Sequence, residues 1–225
     1  MLSKGGIAML KYILFDLDGT LTDPKEGITR CVQYALEKFG IVRDCEDLTE
    51  FIGPPLKEQF MKYANLSDED GTRAVAYYRE RYAPIGIFEN RAYEGVLTML
   101  QTLKEKGYTL AIATSKPWIF AQQVCDKYGI SPYISYLSGS ELDGRNTDKA
   151  LVIQNAMEHL GASAENTLMV GDRIHDIIGA EKNGIPSIAV RYGYASPDEL
   201  EESPVLAIVS SPMEIIDALD CIKEM

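Results

Sequence analysis

YILFDLDGT, residues 12–20, is the stretch from which the chain can be read. Tyr12–Phe15 is a continuous apolar run without polar alternation. A strand of that kind is buried on both faces, as in a parallel sheet covered by helices. It leads directly into Asp16 and Asp18, and Gly19 permits a sharp turn after them. The same design recurs along the chain: TLAIA (109–113) runs into Thr114, TLMVG (167–171) runs into Asp172, and SIAV (187–190) and LAIV (206–209) follow. Helical patterns lie between these runs. Tyr93–Lys106 carries Val96, Leu97, Leu100 and Leu103 on one stripe and stops at Gly107. Pro117–Tyr128 stops at Gly129, Thr147–Leu160 at Gly161, and a helix around Asp176–Asn183 at Gly184; Pro212–Lys223 follows. Alternating strand and helix predicts an open α/β sheet.

Residues 23–90 break the alternation. Asp23-Pro24 reads as a helix cap and first helical residue. Ile28, Cys31, Val32, Ala35, Leu36 and Phe39 form a helical stripe ended by Gly40, Pro54-Pro55 opens a second segment, and Thr72–Tyr82 reads as a third helix. The expected organisation is therefore a catalytic core from residues 9–22 and 91–225, with a helical cap, residues 23–90, inserted after the first strand. Met9 offers an alternative start, and the first eight residues are read as an extension.

Composition narrows the partners. The chain has 225 residues, 46% hydrophobic and 25% charged, close to an ordinary globular protein. No apolar run reaches the ~18–20 residues that span a bilayer, and the start lacks the pattern of a signal peptide. A formal charge of −12 opposes binding to nucleic acid or to anionic membranes. Cys31, Cys45, Cys125 and Cys221 are widely spaced, which suggests neither a zinc site nor a disulfide framework. A cytoplasmic protein with free thiols, monomeric or dimeric, is the expectation.

Ligands of open α/β sheets bind beyond the carboxyl ends of the strands, so the polar residues at those ends should converge. Asp16 can attack phosphorus as a carboxylate. Asp18, two residues on, can protonate a leaving oxygen and then activate water. One strand-end aspartate usually only caps the next turn; two followed by Gly-Thr favour chemistry. Thr114 and Ser115, before a helix start, are candidate phosphoryl binders, although such residues are commonly caps. Lys149 sits where a helix dipole disfavours a cation, and balancing phosphate and carboxylate charge would give it a purpose. Asp172, with Asp176 four residues on, adds oxygens suited to Mg²⁺. His175 is a poor match for that ion, and His159 reads as a helix-surface residue. GSELDG (139–144) has the spacing of a phosphate loop but lacks its lysine and carries Glu141 and Asp143, so it is rejected.

FDLDGTLTD, IATSK, DKALVI and VGDRIHDI, in this order, resemble the haloacid dehalogenase superfamily. The resemblance covers the chain from Met9 onward and implies a Rossmann-like open parallel sheet with an inserted α-helical cap domain. It implies an Mg²⁺-dependent phosphatase with Asp16 as nucleophile and metal ligand. Asp18 would be acid/base, its carbonyl also touching the metal. Thr114 and Lys149 would bind the phosphoryl group, and Asp172 the metal, with Asp176 in support. The cap is similar to those of phosphoglycolate phosphatases and β-phosphoglucomutases. EGITRCVQYAL, FIGPPL, GSELDG, GDRIHDIIGAEKNGI and RYGY resemble the branch labelled 5′-nucleotidase or phosphoglycolate-phosphatase-like. GRNTDK departs from the G-K-P-x-P run that precedes the lysine in many phosphoglycolate phosphatases. The implied substrate is a small phosphomonoester, with a phosphomutase as the alternative and a non-enzymatic phosphate-responsive module as a third class. Arg30 and Lys57 are candidate cap contacts with substrate.

Overall fold

The structure is a computed structural model that describes residues 10–201 and 203–223. The reading of the first eight residues as an extension lies outside the described residues. In chain order the elements are β1 (Tyr12–Phe15), β2 (Thr22–Asp23), α1 (Lys25–Glu37), α2 (Leu56–Tyr63), α3 (Asp68–Tyr82) and β3 (Arg91–Ala92). There follow α4 (Val96–Glu105), β4 (Thr109–Pro117), α5 (Trp118–Lys127), β5 (Ile134–Ser140), α6 (Lys149–Leu160) and β6 (Thr167–Gly171). The chain continues through α7 (Ile174–Lys182), β7 (Ser187–Val190), α8 (Pro197–Glu201), β8 (Ala207–Val209) and α9 (Glu214–Lys223). It divides into two compact units, one reaching to Leu21 and resuming at Tyr93, the other Thr22–Ala92.

The first unit is a six-stranded parallel sheet in the order β5-β4-β1-β6-β7-β8. β1 lies inside it, paired to β4 through Phe15↔Ile112 and to β6 through Phe15↔Val170. Its four residues are buried, as their unbroken apolar character requires. Leu14, Ala111, Ala113 and Met169 pack with Val152, Ile153 and Ala156 of α6 and Ala180 of α7 on one face. Strand alternation sends Ile13 and Phe15 to the opposite face, and both are fully buried.

Two strands of the sheet depart from the sequence expectations. β4 runs to Pro117, four residues beyond TLAIA, with a register irregularity between Ala113 and Pro117. β5 forms where no strand was expected; it is an edge strand and only partly buried, so it lacks the continuous apolar run that marks the inner strands. GSELDG begins in this strand and then turns, with Glu141 N–H donating to Arg145 C=O at 2.9 Å.

The second unit is helical apart from the short antiparallel pair of β2 and β3. Pro24 is the cap position of α1 and not its first residue; the Asp23 carboxylate accepts from Lys25 N–H at 3.1 Å. α3 starts at Asp68, four residues before the expected Thr72, because Ser67 caps it by accepting from Asp70 N–H at 3.1 Å. The core of this unit is built around Cys31, Val32, Leu36, Phe60, Ala74 and Ile87, with Phe51 against Phe60 at a centroid distance of 5.1 Å.

Candidate active site

The sheet register sets the site. Because Phe15 is level with Ile112 and Val170, the residues that follow these three lie at one end of the sheet, the carboxyl end of its strands. Asp16 follows β1, its N–H held by Val170 C=O at 2.9 Å, and Asp172 follows β6. Asp176 lies in the first turn of α7. One oxygen from each of Asp16, Asp172 and Asp176 falls within 4.8 Å of the others, and all three side chains are buried.

Lys149 completes this cluster. Asp148 caps α6 by accepting from Ala150 and Leu151 N–H, which makes Lys149 the first helical residue. Its Nζ lies 2.9 Å from Asp16 Oδ2 and 2.8 Å from Asp176 Oδ1, and donates to Ala113 C=O at 3.2 Å. Those acceptors explain a buried lysine at a helix start, where the dipole opposes it. Asp176 Oδ2 also accepts from Arg173 N–H at 3.0 Å, so both of its oxygens are engaged.

Thr114 is buried at the irregular end of β4, and its Oγ1 accepts from Lys116 N–H at 3.3 Å. Ser115 is tied into the scaffold: its hydroxyl donates to Thr147 C=O at 3.0 Å, and its own carbonyl accepts from Ser140 at 2.7 Å. The sequence reading passed over Lys116. Its Nζ meets Asp18 Oδ2 at 2.6 Å, and both side chains are buried. The available signal was a lysine two residues past the predicted strand-end threonine, where a buried ammonium demands a carboxylate.

The loop after β7, which holds the RYGY stretch, contributes contacts that its family resemblance alone does not give. Tyr192 donates its hydroxyl to Thr20 C=O at 3.0 Å, and Tyr194 N–H donates to Asp172 Oδ2 at 2.8 Å. Thr20 Oγ1 in turn donates to Asp172 Oδ1 at 3.3 Å. A side chain on Gly19, Gly171 or Gly193 would overlap Asp172 or Asp176, so the carboxylates lie in a cradle of bare backbone.

The electrostatics follow from crowding. Burial, then the nearby Asp176 and Asp16, push the Asp172 carboxyl well above the ordinary range. Burial also raises Asp176, against the opposing pull of Lys149. Burial raises Asp18 despite Lys116. Burial works against the charge of Lys149, but Asp16 and Asp176 outweigh it and hold the ammonium above the usual lysine range. Three buried carboxylates thus share a single ammonium, since Lys116 is paired with Asp18. An all-oxygen donor set with surplus negative charge and a backbone cradle fits a hard divalent cation.

Arg30, in the second unit, pairs with Glu26 at 2.8 Å and Glu89 at 3.0 Å, and Lys57 pairs with Asp68 at 2.7 Å. His175 is exposed on α7. His159 stacks on Tyr136 with centroids 3.8 Å apart.

The six-stranded parallel sheet thus brings clustered aspartates and a buried lysine together at the carboxyl ends of β1 and β6. The chain belongs to the haloacid dehalogenase-like hydrolase family, whose sequence profile matches residues 13–190, and it is an enzyme of the phosphatase kind within that family. It is 46% identical over 196 residues to a 5′-nucleotidase of Pseudomonas aeruginosa, covering 86% of this chain and 89% of that protein. It is 33% identical to the tyrosine-protein kinase PtkA of Mycobacterium tuberculosis, covering 88% of this chain and 68% of that one. A crystal structure of a predicted phosphatase from Clostridium acetobutylicum superposes with a TM-score of 0.90 at 43% identity, covering 97% of this chain and 100% of that one.

Proposed function

We propose that the protein is a Mg²⁺-dependent phosphomonoester phosphatase that works through an aspartyl-phosphate. The observation that carries this reading is the meeting of Asp16, Asp172 and Asp176 around Lys149 at the carboxyl edge of β1 and β6. An Asp16 oxygen attacks phosphorus as the bond to the leaving oxygen breaks. The electron pair stays on that oxygen, which takes a proton from Asp18. Water then attacks the aspartyl-phosphate and gives a proton back to Asp18; the bond between the Asp16 oxygen and phosphorus breaks, and inorganic phosphate departs. Lys149 and the Thr114 hydroxyl hold phosphoryl oxygens. Asp16, the Asp18 carbonyl and Asp172 would hold the cation, with Asp176 supporting them through Lys149 and Arg173 N–H. When bound, the cation supplies positive charge that offsets that of the phosphoryl group.

The unit of residues 22–92 is read as a cap that shields the intermediate from premature water. A 5′-nucleotide or a phosphoglycolate-like ester is the proposed substrate, supported by the name of the 46%-identical relative and by a phosphoglycolate phosphatase among the others. The test is phosphate release from 5′-nucleotides, phosphoglycolate, sugar phosphates and an aryl phosphate, with Asp16→Asn and a chelator as controls. Release that needs both Asp16 and the cation supports the reading; release that survives Asp16→Asn overturns it.

A further inference from the structure

The two lysines of the site divide the two aspartates of the first strand end. Lys149 serves Asp16, and Lys116 serves Asp18. The second pair is one-sided. Lys116 Nζ holds Asp18 Oδ2 at 2.6 Å, whereas Asp18 Oδ1 is buried and accepts no hydrogen bond from the described residues. A buried carboxylate oxygen left bare beside a well-held partner oxygen is costly unless another group comes to it. Lys116 is itself fixed, because its N–H is bonded to Thr114 Oγ1 and the following Pro117 is paired with Ser140 of β5. Gly139, also on β5, lies so close to the Lys116 carbonyl and Trp118 that a side chain there would collide with them. The ammonium therefore projects from the braced, irregular end of β4, and not from a mobile loop.

From this geometry we infer that Lys116 is the positioning residue of Asp18: it clamps Oδ2 so that Oδ1 is the oxygen that exchanges the proton with the leaving group and then with water. The inference rests on the reading of Asp18 as acid/base given above. The proton balance is unchanged by it. Lys116 keeps its own proton throughout and fixes only which oxygen of Asp18 faces the reacting atoms. The consequence is that the effect of Lys116 should pass entirely through Asp18.

The experiment is a double-mutant cycle on the full chain with Mg²⁺, comparing Lys116→Met, Lys116→Arg, Asp18→Asn and the double variant Lys116→Met/Asp18→Asn. Single-turnover release of the leaving group is followed for two phosphomonoesters, one of an alcohol and one of an acidic phenol that departs without protonation. For the alcohol ester, Lys116→Met should slow release about 100-fold, the scale of a misplaced catalytic group. The acidic phenol ester should lose far less, and Lys116→Arg should recover part of the rate. Adding Lys116→Met to Asp18→Asn should cost nothing further, the signature of two residues acting as one unit. The double variant removes both partners, so it leaves no buried lone charge and keeps the cycle readable if Lys116→Met folds poorly. Equal losses for the two esters, a further loss in the Asp18→Asn background, or faster release by Lys116→Met would each overturn the inference. If Asp18→Asn itself leaves the alcohol ester untouched, the reading of Asp18 fails, and that outcome is distinct from the others.

Discussion

Tyr192 donates its hydroxyl to the backbone carbonyl of Thr20, 172 positions earlier in the chain, at 3.0 Å. That bond ties the loop after β7 to the turn after β1. Burial pushes the phenol above its ordinary range, so it remains a donor throughout the working pH window. Removing the hydroxyl with Tyr192→Phe leaves the Thr20 carbonyl without this donor, which costs about 1–3 kcal/mol. Thr20 Oγ1 also bonds Asp172, so Mg²⁺ binding should weaken about 10-fold or more. Thermal unfolding and a cation titration check both effects. Unchanged cation affinity would show that the loop does not brace the carboxylate.

The glycines of the cradle should tolerate nothing larger. Gly19 combines a φ of +88° with contact to the Asp172 carboxylate, so Gly19→Ala meets both backbone strain and overlap. Gly193→Ala meets overlap with Asp172 and with the Gly19 carbonyl. Each should cost about 1–3 kcal/mol and should abolish tight cation binding. Calorimetric titration with Mg²⁺ is the check, and wild-type affinity in Gly193→Ala would contradict the packing argument.

Cation binding should expel protons. Burial and mutual crowding raise the carboxyls of Asp172 and Asp176 above the ordinary carboxylate range, and a bound cation favours their ionised forms. Affinity should therefore rise with pH until both are ionised. For the cation-free protein the sign is the reverse of the usual acid effect. The folded state keeps protons that the unfolded state has released, so the contribution of these groups to stability falls as pH rises from the ordinary carboxylate range through their raised folded values. Titration calorimetry in buffers of different ionisation enthalpy measures the protons released; a heat independent of buffer would refute this.

The four thiols should react in order of exposure. Cys221 is exposed, Cys45 intermediate, and Cys31 and Cys125 buried. Burial pushes the Cys125 thiol up to about 12, so at pH 8 it is protonated as well as covered. Iodoacetamide with mass spectrometry should label Cys221 first and Cys125 only on unfolding. Early labelling of Cys125 would contradict the packing of α5.

The inner strands were legible in the sequence because burial on both faces leaves a run of apolar residues with no other explanation. Tyr12–Phe15, Thr167–Gly171 and Ser187–Val190 stand where those runs stand. The edge strand β5 was not legible, since a half-covered ladder mixes serine, tyrosine and glycine and so lacks that signature. The residues meeting around Asp16 were legible because each lies one step past a strand or in a helix's first turn. Lys116 and the 192–194 loop were not, because their meaning depends on which atoms face them. Lys116 reads as an ordinary surface lysine until Asp18 is found 2.6 Å from it. The contact of Tyr192 with Thr20 spans most of the chain and leaves no local pattern.

The place of β1 between β4 and β6 has a consequence for synthesis on the ribosome. Tyr12 is made well before its sheet partners Thr109 and Thr167. The unit of residues 22–92 is complete before either emerges. The nascent chain must therefore carry an unpaired apolar strand until the second half of the sheet arrives. The apolar strand is thus open to wrong pairing until the later strands of the sheet have been made.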